Sequence, residues 1–84
     1  MNKLKSYKKR IDVIDKKIVN LLSLRFNLAK WVSSYKKKNK IEITDKKREV
    51  QVLNNIKKNS NKKHQKFMVD IFRNIIDYSK RMQK

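Results

Sequence analysis

Apolar residues stand at Leu4, Tyr7, Ile11, Ile14, Ile18 and Leu21, and again at Leu28, Val32 and Tyr35, a 3-4-3-4 spacing that forms one stripe along a single helix. Nothing from Leu4 to Lys36 breaks that helix. It is expected to begin near Asn2 or Lys3 and to end near Lys38 or Asn39, where the pattern stops and a lysine run suits the negative end of the helix dipole. Residues 39–44 read as a connector. Thr44 then reads as an N-cap with Asp45 in the first turn, opening a second helix to about Lys58 with Val52, Leu53 and Ile56 inward. Asn59, Ser60 and Asn61 are turn formers, and Ser60 or Asn61 is expected to cap a third helix. That helix carries Phe67, Met68, Ile71, Phe72, Ile75, Ile76, Tyr78 and Met82, enough to bury a broad face.

The fold class expected is all-α: a three-helix protomer with one very long N-terminal helix, forming a single domain over residues 1–84. At about 1.5 Å per residue the first helix reaches roughly 50 Å, whereas a compact chain of this size spans only about 30 Å. One chain cannot cover such a helix. The pattern therefore predicts an intertwined homodimer, with long helices side by side and the shorter ones folded across them.

Composition sharpens this picture. The chain has no Gly, Pro or Cys, which favours long helices and rules out disulfides, thiolate sites and Gly-rich phosphate loops. The first residues have charges but no continuous apolar run, so neither a secretory signal nor a membrane span is expected, and a cytoplasmic location is the default. A net charge of +18 points to anions: nucleic acid, an acidic membrane surface or a small polyanionic substrate. Only five of its cations are arginines, however, and the lysines are spread along the whole chain. Much of the lysine, with the abundant Asn and Ile, reads as coding bias, and no function is based on the bulk charge alone.

The informative positions are polar residues on stripes that ought to be apolar. The beat between Leu21 and Leu28 is held by Arg25, a guanidinium that is costly in a seam unless an anion meets it. Lys36 lies eleven residues on, only about 20° away in direction at about 100° per residue. In the second helix Asp45, Arg48 and Glu49 continue the face of Val52 and Ile56. In the third, Phe72 and Ile76 are followed on one line by Ser79 and Gln83. Helices packed by their stripes would gather these groups into one pocket of cations, carboxylates, a hydroxyl and an amide. Each has a plainer reading alone: Arg25 paired with Asp12 or Asp15 of a partner helix, Lys36 solvated, Asp45 a helix-end charge, the rest exposed. His64 reads as a surface residue of the third helix without metal-ligand neighbours, and Trp31 as packing.

Taken together, I11-D-V-I-D15, L21-L22-S-L-R25-F-N-L-A-K-W-V-S-S-Y-K36, I43-T-D45-K-K-R48-E49 and F72-x-x-I75-I76-D-Y-S79-x-x-x-Q83 resemble the all-helical class of chorismate mutase, in order, over nearly the whole chain. The resemblance implies a pericyclic conversion of the dianion chorismate to prephenate in phenylalanine and tyrosine biosynthesis, without nucleophile, metal or cofactor. It implies that Arg25 binds a substrate carboxylate with Ser79 assisting, and that Lys36 reaches the other carboxylate and the ether oxygen. Gln83 would donate to that oxygen, Glu49 would accept from the ring hydroxyl, and Arg48 and Asp45 would line the wall. A further cation would come from the partner subunit at Lys8, where the family usually has arginine; the charge is kept and the bidentate fork is lost.

Three other readings remain open at this level. An isochorismate-pyruvate lyase shares the fold, and Glu49 beside the Ser79 and Gln83 pair favours the mutase. A basic helical nucleic-acid-binding dimer, or a plain helical interaction module, would follow from charge and helices alone. The chain lacks aromatics arranged on a basic face for base stacking, so no nucleic-acid partner and no membrane partner are expected.

Overall fold

A computed structural model describes residues 2–83 and contains three helices, α1 (Lys3–Lys38), α2 (Lys46–Asn59) and α3 (Gln65–Met82). Among the described residues there is no strand. The ends of α1 fall where the hydrophobic pattern placed them. Asn2 caps its start, the side chain accepting from the Leu4 amide at 3.0 Å.

The end of α1 is a Schellman turn. The Ile41 amide donates to the Lys36 carbonyl at 2.8 Å and the Lys40 amide to the Lys37 carbonyl at 3.3 Å. Such a turn needs a left-handed residue, normally glycine. In a chain without glycine the position falls to Lys40, with φ of 56°.

Two expected caps are corrected by the structure. Asp45, not Thr44, is the N-cap of α2, its carboxylate accepting from the Arg48 amide at 3.0 Å. Neither Ser60 nor Asn61 caps α3, which begins later, at Gln65, with His64 in the N-cap position and no side-chain cap bond. Their side chains are used locally instead. Ser60 donates back to the Ile56 carbonyl, and Asn61 accepts from the Lys63 amide at 3.1 Å, closing a turn ahead of the helix. His64 is exposed, as expected.

α3 is the central element: α2 packs against it on one side and the C-terminal half of α1 on the other, while α1 and α2 do not pack on each other. The buried residues are few, namely Val69 and Ile75 at the heart of α3, with Ser33 of α1 and Ser79 of α3. Val69 was absent from the face predicted for α3. Phe72 and Ile76 are half-buried, as are Val52, Leu53 and Ile56 of α2.

α1 departs from the prediction in which line faces its own chain. The half-buried and buried residues are Leu22, Arg25, Phe26, Ala29, Ser33 and Lys36, a line that shares Arg25 with the apolar stripe and otherwise runs beside it. Residues 2–21 are exposed throughout, and Leu4, Tyr7, Ile11, Ile14, Ile18 and Leu21 each keep 47–64 % of their surface. Trp31, read as a packing residue, is 68 % exposed in the single chain. The protomer measures 59 × 25 × 16 Å and has a radius of gyration of 16.3 Å, against about 12 Å for a compact chain of this length. Its accessible surface of 7817 Å² compares with about 5,300 Å² for a compact monomer of its mass.

Candidate functional site

Because α1 and α2 both lean on α3 without closing on each other, a cavity of about 480 Å³ opens between them. All seven residues expected to meet within one chain line it: Arg25 and Lys36 from α1, Asp45, Arg48 and Glu49 from the start of α2, and Ser79 and Gln83 from the end of α3. Leu28, Ala29, Val32, Val52 and Ile76 supply apolar wall.

Arg25 is fixed by a hydrogen bond from Nη1 to Ser79 Oγ at 3.0 Å. Ser79 is 7 % exposed and donates its own proton to the Ile75 carbonyl one turn earlier, at 2.8 Å, so the hydroxyl is held from both sides. The Arg25 pKa is lowered, first by burial and then by the nearby Arg48 cation. Two guanidiniums thus line one cavity near enough for the charge of Arg48 to oppose that of Arg25, an arrangement that favours an anionic ligand.

The other donors are held more loosely. Lys36 Nζ donates to the Ile43 carbonyl at 3.3 Å and Gln83 Nε2 to the Ala29 carbonyl at 3.4 Å, both longer than the usual 2.9–3.0 Å or so. Gln83 sits one residue past α3, as its C-cap. Its backbone is secured by Ser33, whose hydroxyl donates to the Gln83 carbonyl at 3.1 Å from a position 3 % exposed. The amide can therefore reorient while its anchor stays in place.

On α2, Arg48 Nη1 donates to Gln51 Oε1 at 2.8 Å, and the Asp45 carboxylate serves the helix cap. Glu49 receives Lys80 Nζ at 2.8 Å on Oε1. Its second oxygen, Oε2, is buried and has no hydrogen-bond partner among the described residues.

Lys8 is not part of this cavity. Seventeen residues separate it from Arg25 on the same helix, about 25 Å of rise, beyond the reach of any lysine. Sequence reasoning missed Ser33, Lys37, Thr44 and Lys80, the last three of which line the cavity. Ser33 was findable, since it lies on one line with Phe26, Ala29 and Lys36. Lys37 and Lys80 carry no distinguishing signal in a chain with 25 Lys and Arg residues.

What this arrangement can do chemically is limited and specific. It offers fixed cations, neutral donors and one free acceptor around a space sized for a small molecule. It holds no hydroxyl or amine paired with a base in the manner of an activated nucleophile. Among the described residues no three His, Asp or Glu side chains come together as a metal site requires.

The sequence of this chain matches the family described as chorismate mutase type II over residues 7–84. It is 36 % identical over 87 aligned positions to a chorismate mutase of Methanocaldococcus jannaschii, an alignment covering all of this chain and 87 % of that protein. No solved structure matches it.

Proposed function

The chain belongs to the chorismate mutase type II family, and on that premise we propose that the cavity between α1, α2 and α3 is where it rearranges chorismate to prephenate, supplying phenylalanine and tyrosine biosynthesis. The observation that carries the placement is the convergence of Arg25, Lys36, Asp45, Arg48, Glu49, Ser79 and Gln83, drawn from three helices, on one cavity.

In this reaction the ether C–O bond breaks as a C–C bond forms, and no proton or electron enters or leaves. Catalysis consists of holding the reactive conformer and stabilising the charge that builds on the ether oxygen. Arg25, oriented by Ser79, binds one carboxylate as a fork. Lys36 binds the other and, with the Gln83 amide, donates to the ether oxygen. Both give up only long bonds to backbone carbonyls in doing so. Oε2 of Glu49 accepts from the ring hydroxyl, which gives that buried oxygen the partner it lacks. Arg48 and Asp45 shape the α2 wall.

The working unit is an intertwined homodimer located in the cytoplasm, each pocket completed by Lys8 of the second copy. The uncovered apolar stripe of α1, and the distance of Lys8 from its own chain's cavity, support this. No helix among the described residues is long and apolar enough to cross a membrane.

The test is loss of chorismate absorbance on adding purified protein, with Arg25→Ala as control. Release of pyruvate from isochorismate, without prephenate formation from chorismate, would replace this reading with the lyase of the same fold.

A further inference from the structure

One polar contact at the cavity is left over from the assignments above. Lys80, the residue after Ser79 in the last turn of α3, reaches across to the first turn of α2 and grips Glu49 Oε1 at 2.8 Å. The same carboxylate keeps Oε2 buried and without a partner. Its side chain is 27 % exposed and that of Lys80 47 %, so the ammonium sits at the rim, while Oε2 is closed off from solvent. A carboxylate held at one oxygen presents the other at a fixed place, which a freely rotating glutamate does not.

Two kinds of donor could meet such an oxygen, a neutral hydroxyl or an ammonium. A lone carboxylate would prefer the ammonium, because opposite charges add to the hydrogen bond. Here the carboxylate already balances Lys80. A second ammonium on Oε2 would lie across a single carboxylate from the first, in a cavity also lined by Arg48, Arg25, Lys36 and Lys37. Like charges brought that close repel, most strongly where water is excluded. A hydroxyl meets no such penalty.

We propose that Lys80 is a positioning and specificity-determining residue: by holding Glu49 Oε1 it fixes Oε2 as the acceptor for the substrate's ring hydroxyl and turns away a substrate bearing an amino group at the same ring position. The inference rests on the reaction assigned to this cavity. Lys80 acts through Glu49, without contact with the reacting bonds.

The experiment measures kcat/KM for chorismate, and for the analogue with an amino group in place of the ring hydroxyl, on the full chain and on Lys80→Met, Lys80→Arg, Glu49→Gln and the Lys80→Met/Glu49→Gln double variant. Lys80→Met should lower kcat/KM for chorismate about tenfold or more, and Lys80→Arg should restore most of the loss. In the Glu49→Gln background the same Lys80 change should cost only about twofold, the effect of one charge fewer at the rim. The preference for chorismate over the amino analogue should fall about tenfold in Lys80→Met, because the repelling charge is gone while Glu49 remains. A residue that merely ties α2 to α3 would lower the melting temperature and leave the substrate preference unchanged, which would overturn the proposal. Equal losses in both Glu49 backgrounds would also overturn it, since Lys80 would then act on the substrate directly. A parent protein inactive on chorismate would instead refute the assignment of the reaction itself, whatever Lys80 does.

Discussion

Arg25→Ala should separate catalysis from stability more clearly than any other single change. In the absence of ligand, Arg25 is a partly buried cation whose pKa is lowered by desolvation and by Arg48. A lowered pKa on a base means that the fold opposes its charge. Because the residue stays protonated throughout the neutral range, that cost is present at every working pH. Removing the side chain relieves it, but also removes the 3.0 Å bond to Ser79, worth about 1.5–3 kcal/mol for a charged donor. These effects oppose each other, so the melting temperature should move little, by less than about 8 °C for a chain of this size. With substrate bound the balance is different. A guanidinium fork held ready for a substrate carboxylate contributes about 3 kcal/mol or more, so kcat/KM should fall at least about a hundredfold. Because the carboxylate is present in both ground and transition states, part of the loss should appear in KM, and the part due to misplacing the reactive conformer in kcat. Arg25→Lys should recover less than half of the lost free energy, since one ammonium cannot reproduce the fork. Initial rates over a range of chorismate concentrations, with thermal melts of the same preparations, give both readouts. Unchanged turnover with a melting temperature lowered by more than about 15 °C would mean that Arg25 is a structural seam residue, and the mechanism would fail.

Sedimentation at micromolar concentration should give twice the 10.2 kDa chain mass; a folded monomer would contradict the shared site. Lys8→Ala should impair catalysis while Arg10→Ala, turned by about 200° on the same helix, should not. A mixed dimer of Lys8→Ala and Arg25→Ala chains should regain one intact pocket, and no recovery in the mixture would count against Lys8 acting across the interface. Gln83→Glu should confine activity to acid, because a carboxyl donates to the ether oxygen only when protonated, with an ordinary pKa of about 4.3; parallel rates for parent and variant from about pH 5 to pH 8 would remove Gln83 from that role. Lys40→Gly should raise stability by about 0.5–1 kcal/mol by relieving the left-handed φ of 56° without changing turnover, and an unchanged melting curve would refute the strain.

How much was legible in the sequence follows from what kind of signal each feature leaves. Helix α1 was readable almost to the residue, because its pattern runs unbroken and no Gly or Pro interrupts it. The caps were less so. Thr44 and Asp45 are adjacent and both capable of capping, and only the backbone geometry awards the Arg48 amide to Asp45. Ser60 and Asn61 look like caps for α3, yet each closes a bond in its own turn. The line of α1 that faces α3 was hidden because it mixes Leu22 and Phe26 with Arg25, Ala29, Ser33 and Lys36, and so reads as polar. The gathering of seven polar residues at one cavity was legible because each lies where an apolar stripe turns polar. Lys80 breaks nothing: its meaning lies entirely in which carboxylate it reaches.

The position of the cavity explains how so small a chain tolerates these charges without a ligand. Five cations and two carboxylates line it, and both carboxylates are already engaged, Asp45 by the α2 cap and Glu49 by Lys80. What remains unbalanced is positive. Burying that charge in a core would cost several kcal/mol per ion, but the gap left between α1 and α2 keeps it at a cleft rather than inside. The long helix leaves most of its apolar surface exposed in the single chain, and the short segment around Arg25 and Lys36 packs on α3. On the proposed mechanism a dianion entering the cleft would relieve the repulsion between Arg25 and Arg48, and the rearrangement would shift charge toward Lys36 and Gln83. On that mechanism Arg25, tied to Ser79, is the group held in place before a substrate arrives, whereas Lys36 and Gln83 would turn to the ether oxygen by giving up long bonds to backbone carbonyls.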